Sequence, residues 1–414
     1  MIKIVQLQYS TESGGRSALR LQNAFLDAGI QSTIISLQRD THPLQNIVYL
    51  GRKKRYIARL FTRLETYLTR NKVNKYGMFS FLPSGSNITG LKEIKTADYI
   101  YIHWVQHGFL NPHNIGQIAR LGKPVIIVMH DMWSMTGGCH YSFDCNGYIK
   151  DCKNCPVFIK TKEKKYAEKK LKKKQKVYAA NDNLFFVSPS KWLYNCARQS
   201  ALLKNKPVFY IPNILDTKLF KPVDKKEAKN ILDIPTNTTV ISFGAVSIES
   251  YRKGWIYLNK ALLLLKEDKL FTDVILLIFG SDYNKEIAES IPFKTKFLGY
   301  LGDEYSTALA YNASDVFVVP SLADNQPTTV QESLACGTPV VGFNVGGIPD
   351  MIMHKQNGYL AKYEDENDLA IGIKYCLENK VEAKMLTGFD IETTLKKHMD
   401  LFENFKTITK VHND

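Results

Sequence analysis

Two carboxylates stand eight positions apart in the stretch "SLADNQPTTVQESLACGTPVVGFNVGGIPD", residues 321–350, as Asp324 and Glu332. The preceding "DVFVVPS" reads as a buried strand, and Pro327 suits the first turn of a helix. The N–H groups at Thr328 would then face outward at the positive end of that helix, where a phosphate can bind. Glu332, one turn further along, could accept from a pair of ribose hydroxyls, and Asp324 on the loop could reach a sugar hydroxyl.

Four of the seven cysteines fall within 17 positions as C-x5-C-x6-C-x2-C. Disulfides explain them poorly in a reducing cytosol, whereas four thiolates fit a tetrahedral structural zinc. Packed free thiols are the alternative, as is His140 in place of one cysteine. A closed four-sulfur site would leave no open position for a substrate, so it would hold shape only. The residues concerned are Cys139, Cys145, Cys152 and Cys155.

His103 and His107 follow another apolar run, in "HWVQHGFL". Their spacing of four could hold a metal on a helix. We favour over this a place in the wall of the acceptor pocket, and a purely structural purpose is the equal alternative to that place.

The elements that must position these side chains repeat as strand, turn and helix. The 414 residues are too many for one compact core. Continuous apolar runs such as "IKIVQL", "PVIIVM" and "DVILLIF" indicate strands buried on both faces, hence parallel sheets flanked by helices. We therefore predict an α/β protein with two Rossmann-like domains facing across a central cleft. Their bounds are 1–220 on the acceptor side, with the cysteine-rich segment at 139–155, then 221–390 on the donor side, then a helix over 391–414 that packs back across the domains.

The opening stretch resembles the C-terminal signature of glycosyltransferase family 4, the retaining GT-B enzymes. The resemblance rests on the two acids, the "ACGTPVV" run and the "GGIPD" turn. It implies catalysis on a nucleoside-diphosphate sugar without a metal cofactor, and Asn325 and Gln326 join the donor-binding residues. The first acid is Asp324 where the family more often has Glu, and "NQPTT" stands in place of its glycine-rich segment.

The resemblance extends over most of the chain. In "SFGAVSIESYRKGW" it makes Lys253 the cation for the donor diphosphate, with Arg252 as a possible second, since Ala245 stands where the family usually has arginine. It also implies that Gly15 approaches the donor diphosphate and Gly14 the acceptor side. His130, in "VMHD", becomes the histidine near the reacting carbon, so the predicted catalytic residues are His130, Asp324 and Lys253. The sequence holds no Asp-x-Asp, the metal-binding motif of many glycosyltransferases of the other major fold.

The net charge of +15 calls for an anionic partner. Ten lysines crowd residues 160–176, either as a solvated helix face or as a contact for anionic lipid headgroups. The first residues offer only a strand's worth of apolar side chains, so we expect no signal peptide and a cytoplasmic chain, peripheral at the inner face of the cell membrane. Nucleic acid is not an expected partner, because aromatic residues are not interleaved with the basic ones.

These expectations combine into a retaining hexosyltransferase that uses a UDP- or GDP-linked sugar. By resemblance, its acceptor is a glycan or lipid-linked molecule of polysaccharide, lipopolysaccharide or capsule synthesis. A nucleotide-sugar epimerase or phosphorylase on the same fold is the alternative enzyme. A nucleic-acid-binding protein is the alternative from another class.

Overall fold

The computed structural model describes residues 1–12, 15–41, 44–81, 84–268, 271–281 and 283–411. Gly14, predicted on the acceptor side, lies outside these ranges. The chain forms two compact units, one of Met1–Ile214 with Ile391–Asp414 and one of Leu215–Asp390. The division at 214/215 stands six residues before the boundary expected from the sequence.

The first unit contains a parallel sheet whose continuous apolar strands are covered on both faces. Ile100 and Ile102 point into one core, and Tyr99 and Tyr101 into another, which is why the run does not alternate with polar residues. The strands are β1 (Lys3–Gln8), β2 (Gln31–Ser36), β3 (Ile47–Tyr49), β4 (Tyr99–Ile102), β5 (Val125–Val128), β6 (Leu184–Ser188) and β7 (Val208–Tyr210). Their order in the sheet is β3-β2-β1-β4-β5-β6-β7.

In the described part of this unit, six helices connect the strands. The first ends just before Gly29, whose φ of +75° is the left-handed conformation that stops a helix. The helices are α1 (Arg16–Asp27), α2 (Arg52–Leu68), α3 (Lys92–Thr96), α4 (Pro112–Ala119), α5 (Thr161–Ala179) and α6 (Lys191–Gln199).

The second unit repeats the pattern with a six-stranded parallel sheet. Its strands are β8 (Thr239–Gly244), β9 (Val274–Phe279), β10 (Lys294–Phe297), β11 (Val316–Val319), β12 (Val340–Phe343) and β13 (Gly358–Ala361), in the order β10-β9-β8-β11-β12-β13. Its helices are α7 (Lys225–Ile231), α8 (Trp255–Lys266), α9 (Lys285–Ser290), α10 (Glu304–Asn312), α11 (Thr328–Ala335) and α12 (Glu366–Glu378).

Strand order reverses in each sheet beside its first strand, between β1 and β4 and between β8 and β11. Loops leaving the carboxyl ends of strands diverge at such points, and ligands favour the crevice they leave. The predicted site residues follow β1, β4 and β5 in the first unit and β8 and β11 in the second.

A final helix, α13 (Ile391–Val411), belongs to the first unit. Phe402 stacks on Tyr99 with ring centroids 4.2 Å apart, and Phe405 packs against Phe185 at 4.1 Å. His398 Nδ1 lies 3.1 Å from the hydroxyl of Tyr101. The helix thus completes the core on one face of the first sheet. Among the described helices, none combines the length and the apolar composition of a membrane span.

Candidate functional site

The second unit brings the predicted cations and the predicted acid together. Oδ2 of Asp324 accepts from Arg252 Nη1 at 2.7 Å and from Lys253 Nζ at 2.9 Å. Both cations lie on a short 3-10 turn that ends at Gly254, with φ +68°. A Cβ on Gly254 would stand 1.8 Å from the carbonyl oxygen of Pro320, so only glycine lets this turn approach the loop after β11.

Charge, rather than solvation, decides the ionisation of this cluster. Burial would raise the pKa of Asp324, but Lys253 and Arg252 outweigh it and hold that pKa far below its usual range. Burial, with the like charge of Arg252, lowers the pKa of Lys253, although Asp324 acts in the opposite direction. Asp324 is therefore a carboxylate that already binds both cations. From the sequence, Asp324 was expected to contact a sugar hydroxyl, and its ion pairs with Arg252 and Lys253 were not predicted.

The glycine turn after β12 fixes the backbone of Asp324. Gly347 donates its N–H to the carbonyl oxygen of Asp324 at 3.0 Å. Gly346 has φ +60°, and a Cβ there would lie 2.0 Å from the same oxygen. This glycine pair therefore lets the turn approach the backbone of the loop after β11 closely.

The next residues carry the loop into α11. Asn325 and Gln326 are buried, and the N–H of Asn325 lies 3.1 Å from Oδ1 of Asp324. Pro327 is the N-cap of the helix and Thr328 its first residue. Because the first N–H groups of any helix lack intrahelical acceptors, this end of α11 has the polarity of an anion site.

Glu332 is buried within α11, and its Oε2 accepts from the hydroxyl of Tyr311 at 3.1 Å. Tyr311 lies on α10, 21 positions earlier in the chain. No local sequence pattern indicates this partner, which orients the carboxylate predicted to bind ribose.

In the first unit, two of the predicted histidines form one hydrogen-bonded chain. His103 Nε2 lies 2.8 Å from Gln6 Oε1, and His103 Nδ1 lies 3.0 Å from His130 Nε2. Gln6 donates its amide nitrogen to Ser32 at 3.1 Å, so its oxygen faces His103. This network assigns Nε2–H to His103, whose Nδ1 then accepts from Nε2–H of His130.

Both imidazoles are held neutral. Burial lowers the pKa of His130 to about 4, although Asp131 acts against it. Burial, together with the charges that His130 and His398 would carry, lowers the pKa of His103 well below its ordinary value. The pair can therefore supply hydrogen bonds at neutral pH without adding charge.

His107 does not share the site of His103. It has φ +55° and stands in a turn rather than a helix, so the helical i, i+4 metal arrangement considered for the pair is wrong. Its ring packs against Trp104 and Tyr9, with centroids 4.9 and 5.4 Å away. Burial and His140 lower its pKa to about 4.

Gly15 is the N-cap of α1. A Cβ there would stand 1.8 Å from the carbonyl oxygen of Ser10. The packing of the loop after β1 thus requires glycine at this position, whatever ligand binds nearby.

The four clustered cysteines are free thiols that line one cavity of about 20 Å³. Gly147 N–H donates to Cys145 Sγ at 3.4 Å. Burial raises the pKa of Cys152 to about 11 and that of Cys155 to about 12, and raises the pKa of Cys139 further.

The zinc prediction gains no support from this geometry. Among the described residues, no group of three or more histidine, cysteine, aspartate or glutamate side chains is arranged to hold a metal ion. His140 does not replace a cysteine, because Asp131 Oδ2 lies 2.6 Å from its Nδ1 and Ser80 Oγ 2.9 Å from its Nε2. Structural zinc stays a prediction for elemental analysis.

One lysine of the basic run is not available to a lipid surface. Lys174 is buried and donates to the carbonyl oxygens of Trp133 and Thr136, with its ammonium 3.6 Å from the centroid of the Trp133 indole. Burial lowers its pKa to about 7. It fastens α5 to the segment that leads into the cysteines.

Part of the chain is similar in sequence to known glycosyltransferases. Residues 237–379 match the family model described as Glycosyl transferases group 1. An uncharacterized glycosyltransferase of Haemophilus influenzae is 28% identical over 156 residues, covering 36% of this chain and 42% of that protein. The UDP-Gal:alpha-D-GlcNAc-diphosphoundecaprenol alpha-1,3-galactosyltransferase of Escherichia coli is 26% identical over 209 residues, covering 46% and 53%. The chain thus spans about half the length of these curated relatives.

The solved structures resemble the whole chain. Anabaena Alr3699/HepE, determined in complex with UDP and glucose, has a TM-score of 0.62 at 16% identity and covers 98% of this chain and 100% of its own. Sucrose-phosphate synthase from Thermosynechococcus elongatus has a TM-score of 0.63 at 16% identity, covering 99% and 100%. At this identity the likeness concerns the fold. Residues 237–379 therefore carry a Glycosyl transferases group 1 domain, within a chain that has the two-sheet α/β fold of the GT-B glycosyltransferases.

Proposed function

We propose that this chain is a glycosyltransferase that moves a sugar from a nucleoside-diphosphate donor to an acceptor hydroxyl, with retention of the anomeric configuration. One observation carries the proposal. Within the matched domain, Arg252 and Lys253 are held side by side on Asp324, both within 3 Å of one carboxylate oxygen. Two adjacent cations of fixed position suit a departing diphosphate, whose charge must be neutralised as it leaves.

The donor would lie along the loop after β11 and the start of α11. In this proposal Arg252 and Lys253 bind the diphosphate, and the N-terminal end of α11 at Thr328 adds its partial positive charge. Glu332, oriented by Tyr311, accepts from the ribose hydroxyls. Asn325 and Gln326 form the wall between the diphosphate and ribose positions, and catalysis needs no metal.

The chemical step would be a displacement on one face of the sugar. The bond from the anomeric carbon to the diphosphate oxygen breaks, and the acceptor oxygen bonds to that carbon from the same side. The acceptor's proton leaves with the diphosphate oxygen. His130 is assigned to the transferred sugar as a neutral hydrogen-bonding group, an assignment that stays a prediction.

The relatives narrow the substrates that are worth testing. The E. coli relative is named for a UDP-galactose donor and a diphosphoundecaprenol-linked acceptor, and the Anabaena structure contains UDP. We therefore propose a UDP-sugar before a GDP-sugar, and a lipid-linked acceptor of cell-surface polysaccharide synthesis. Such an acceptor would bring the chain to the inner face of the cell membrane, as a peripheral protein on an anionic surface.

The test compares nucleotide binding with turnover in two variants. Glu332→Ala should weaken UDP binding and turnover together, because it removes the ribose acceptor. Lys253→Ala should lower the transfer rate about 100-fold or more, because its charge acts on the leaving group. Calorimetry with UDP and release of UDP from a panel of UDP-sugars measure the two quantities. Values within threefold of the parent for both variants would reject the assignment.

The alternatives give different products. An epimerase would release no nucleotide, and a phosphorylase would form a sugar 1-phosphate when inorganic phosphate is present. A nucleic-acid-binding protein would show submicromolar, steeply salt-dependent affinity in a filter-binding titration. Acceptor-dependent release of UDP in the absence of phosphate separates the transferase from all three.

A further inference from the structure

Helix α2 turns a row of large apolar side chains toward solvent. Tyr56 is 64% exposed, Leu60 46%, Leu64 43% and Tyr67 58%. These positions recur every three or four residues, so they form one stripe along the helix. Ile57, 39% exposed, borders the same stripe. A helix of a soluble protein normally turns such a stripe inward, so its exposure needs an explanation.

The opposite face already holds α2 to the first unit. Ala58 is buried, and a Cβ on Gly108 would stand 2.9 Å from its Cα. Glu65 is also buried, and its Oε1 accepts from the N–H of Phe81 at 2.7 Å. Leu68 packs against the core at the end of the helix. The outward stripe is therefore the second apolar face of an anchored helix.

Positive charge lies along one side of the stripe. Arg52, Arg59 and Arg63 are exposed and follow one another at intervals of seven and four residues, which places them along one flank of the helix. Arg70, in the turn just beyond α2, holds its guanidinium carbon 4.0 Å from the ring centroid of Tyr67. Residues 52–70 contain seven basic residues and a single acidic one, Glu65, which points inward. An exposed apolar stripe beside arginines matches the boundary between acyl chains and anionic headgroups.

A second basic surface adjoins the end of this helix. Asn71, just beyond α2, donates from Nδ2 to Glu163 of α5 at 3.3 Å. The start of α5, with its exposed lysines, therefore lies near the C-terminal end of α2. Helix α5 does not add a second apolar stripe, because its apolar residues Ala167 and Leu171 are buried. The contribution of its lysines is electrostatic, whereas α2 combines charge with apolar surface.

We propose that α2 inserts its stripe of Tyr56, Leu60, Leu64 and Tyr67 into the surface of an anionic membrane, while its arginines bind the lipid phosphates. This deepens the membrane part of the proposed function, because it names the element that makes the contact and adds an apolar component to it. Vesicle binding needs neither donor nor acceptor. The inference can therefore succeed or fail independently of the transferase assignment.

The experiment is co-sedimentation of the full chain with vesicles of phosphatidylcholine alone or with 30% phosphatidylglycerol. We expect binding to the anionic vesicles that partly survives 0.5 M NaCl, since the apolar component is not screened. Leu60→Ser/Leu64→Ser should weaken that binding about tenfold or more. The matched control is Ile256→Ser/Leu263→Ser on α8, because those side chains are 57% and 48% exposed in the second unit. It should bind within twofold of the parent.

A probe in the stripe tests its depth directly. The tryptophan introduced by Leu64→Trp should emit at shorter wavelength on anionic vesicles than in buffer. Lipids brominated along the acyl chains should quench that emission. Three results would overturn the inference. One is equal binding by the Leu60/Leu64 variant and its control, and another is complete release by salt, which leaves only an electrostatic contact. The third is a parent chain that does not bind vesicles but self-associates or binds nucleic acid, and that loses this interaction in the α2 variants.

Discussion

Asp324 would compete with the proposed donor diphosphate for the same two cations. Its Oδ2 binds Arg252 and Lys253, the two cations assigned to that diphosphate. An incoming nucleotide must therefore share or displace a carboxylate, and part of the cations' affinity for anions is already satisfied by the protein. This arrangement keeps two neighbouring positive charges ordered, at some expense in affinity for free nucleotide.

The first prediction separates this competition from a direct contact with the sugar. Asp324→Asn should tighten UDP binding about threefold or more, because the cations lose their internal counter-charge. Transfer should nevertheless fall, because the cations lose their fixed position. Calorimetry with UDP gives the affinity, and Asp233→Asn, on an exposed carboxylate of the same unit, is the control. Weaker UDP binding by Asp324→Asn would show that the carboxylate does not compete.

The second prediction concerns the neutral histidines. The pKa of His130 is about 4 in the folded chain, and that of His103 is also well below its ordinary value, while an unfolded histidine titrates near 6.5. The unfolded state thus binds protons first as the pH falls. Their contribution to stability is complete above about pH 6.5 and is lost progressively toward pH 4. Urea unfolding of the first unit should show this loss.

The variant His130→Asn should flatten that dependence between pH 6.5 and 4. The exposed His113→Asn is its control and should leave the dependence unchanged. An identical pH profile in parent and His130→Asn would mean that the imidazole titrates normally in the folded chain.

At the scale of elements, the cysteine segment gives the third prediction. It is short of apolar residues, yet its four thiols share one small cavity. If zinc holds the segment, elemental analysis should find about one zinc per chain, and Cys152→Ser should lower both the zinc content and the melting temperature. Cys376→Ser, on a buried thiol of the second unit, should leave the zinc content unchanged. A metal-free protein of full activity, purified without chelators, would leave the packed-thiol interpretation.

Elements buried on both faces could be predicted from the sequence, and elements at the edges could not. "DYIYIH" and "PVIIVM" correspond to β4 and β5, because central strands need continuous apolar residues. The edge strands β3 and β7 are only three residues long. Three-residue edge strands bury too little to leave a pattern.

At the candidate site, the contacts between side chains could not be predicted from the sequence either. The pairing of Asp324 with Arg252 joins residues 72 positions apart, and Gln6 meets His103 across 97 positions. Such contacts follow from strand order, which no local pattern encodes. The resemblance to a known family selected the candidate residues, but not the partners that fix their charge and orientation.

For the whole molecule, the division of the chain predicts separable effects. Phe402 of α13 is buried against Tyr99 in the first unit, whereas Arg252, Lys253 and Glu332 lie in the second. Phe402→Ala should destabilise the first unit by about 3–5 kcal/mol. UDP affinity at the second unit should change less than threefold. Urea unfolding and calorimetry measure the two effects, with Phe402→Leu as the milder variant. A parallel loss of both would show that the units are coupled.

The return of α13 to the first unit also orders events during synthesis. Residues 215–390 are continuous, so the second unit is complete as soon as they have left the ribosome. The first unit starts earlier but finishes later, since Tyr99 and Phe185 keep an uncovered apolar surface until Phe402 and Phe405 emerge. A nascent chain halted between the two events would carry a complete donor domain beside an open core, a combination that chaperones and proteases recognise.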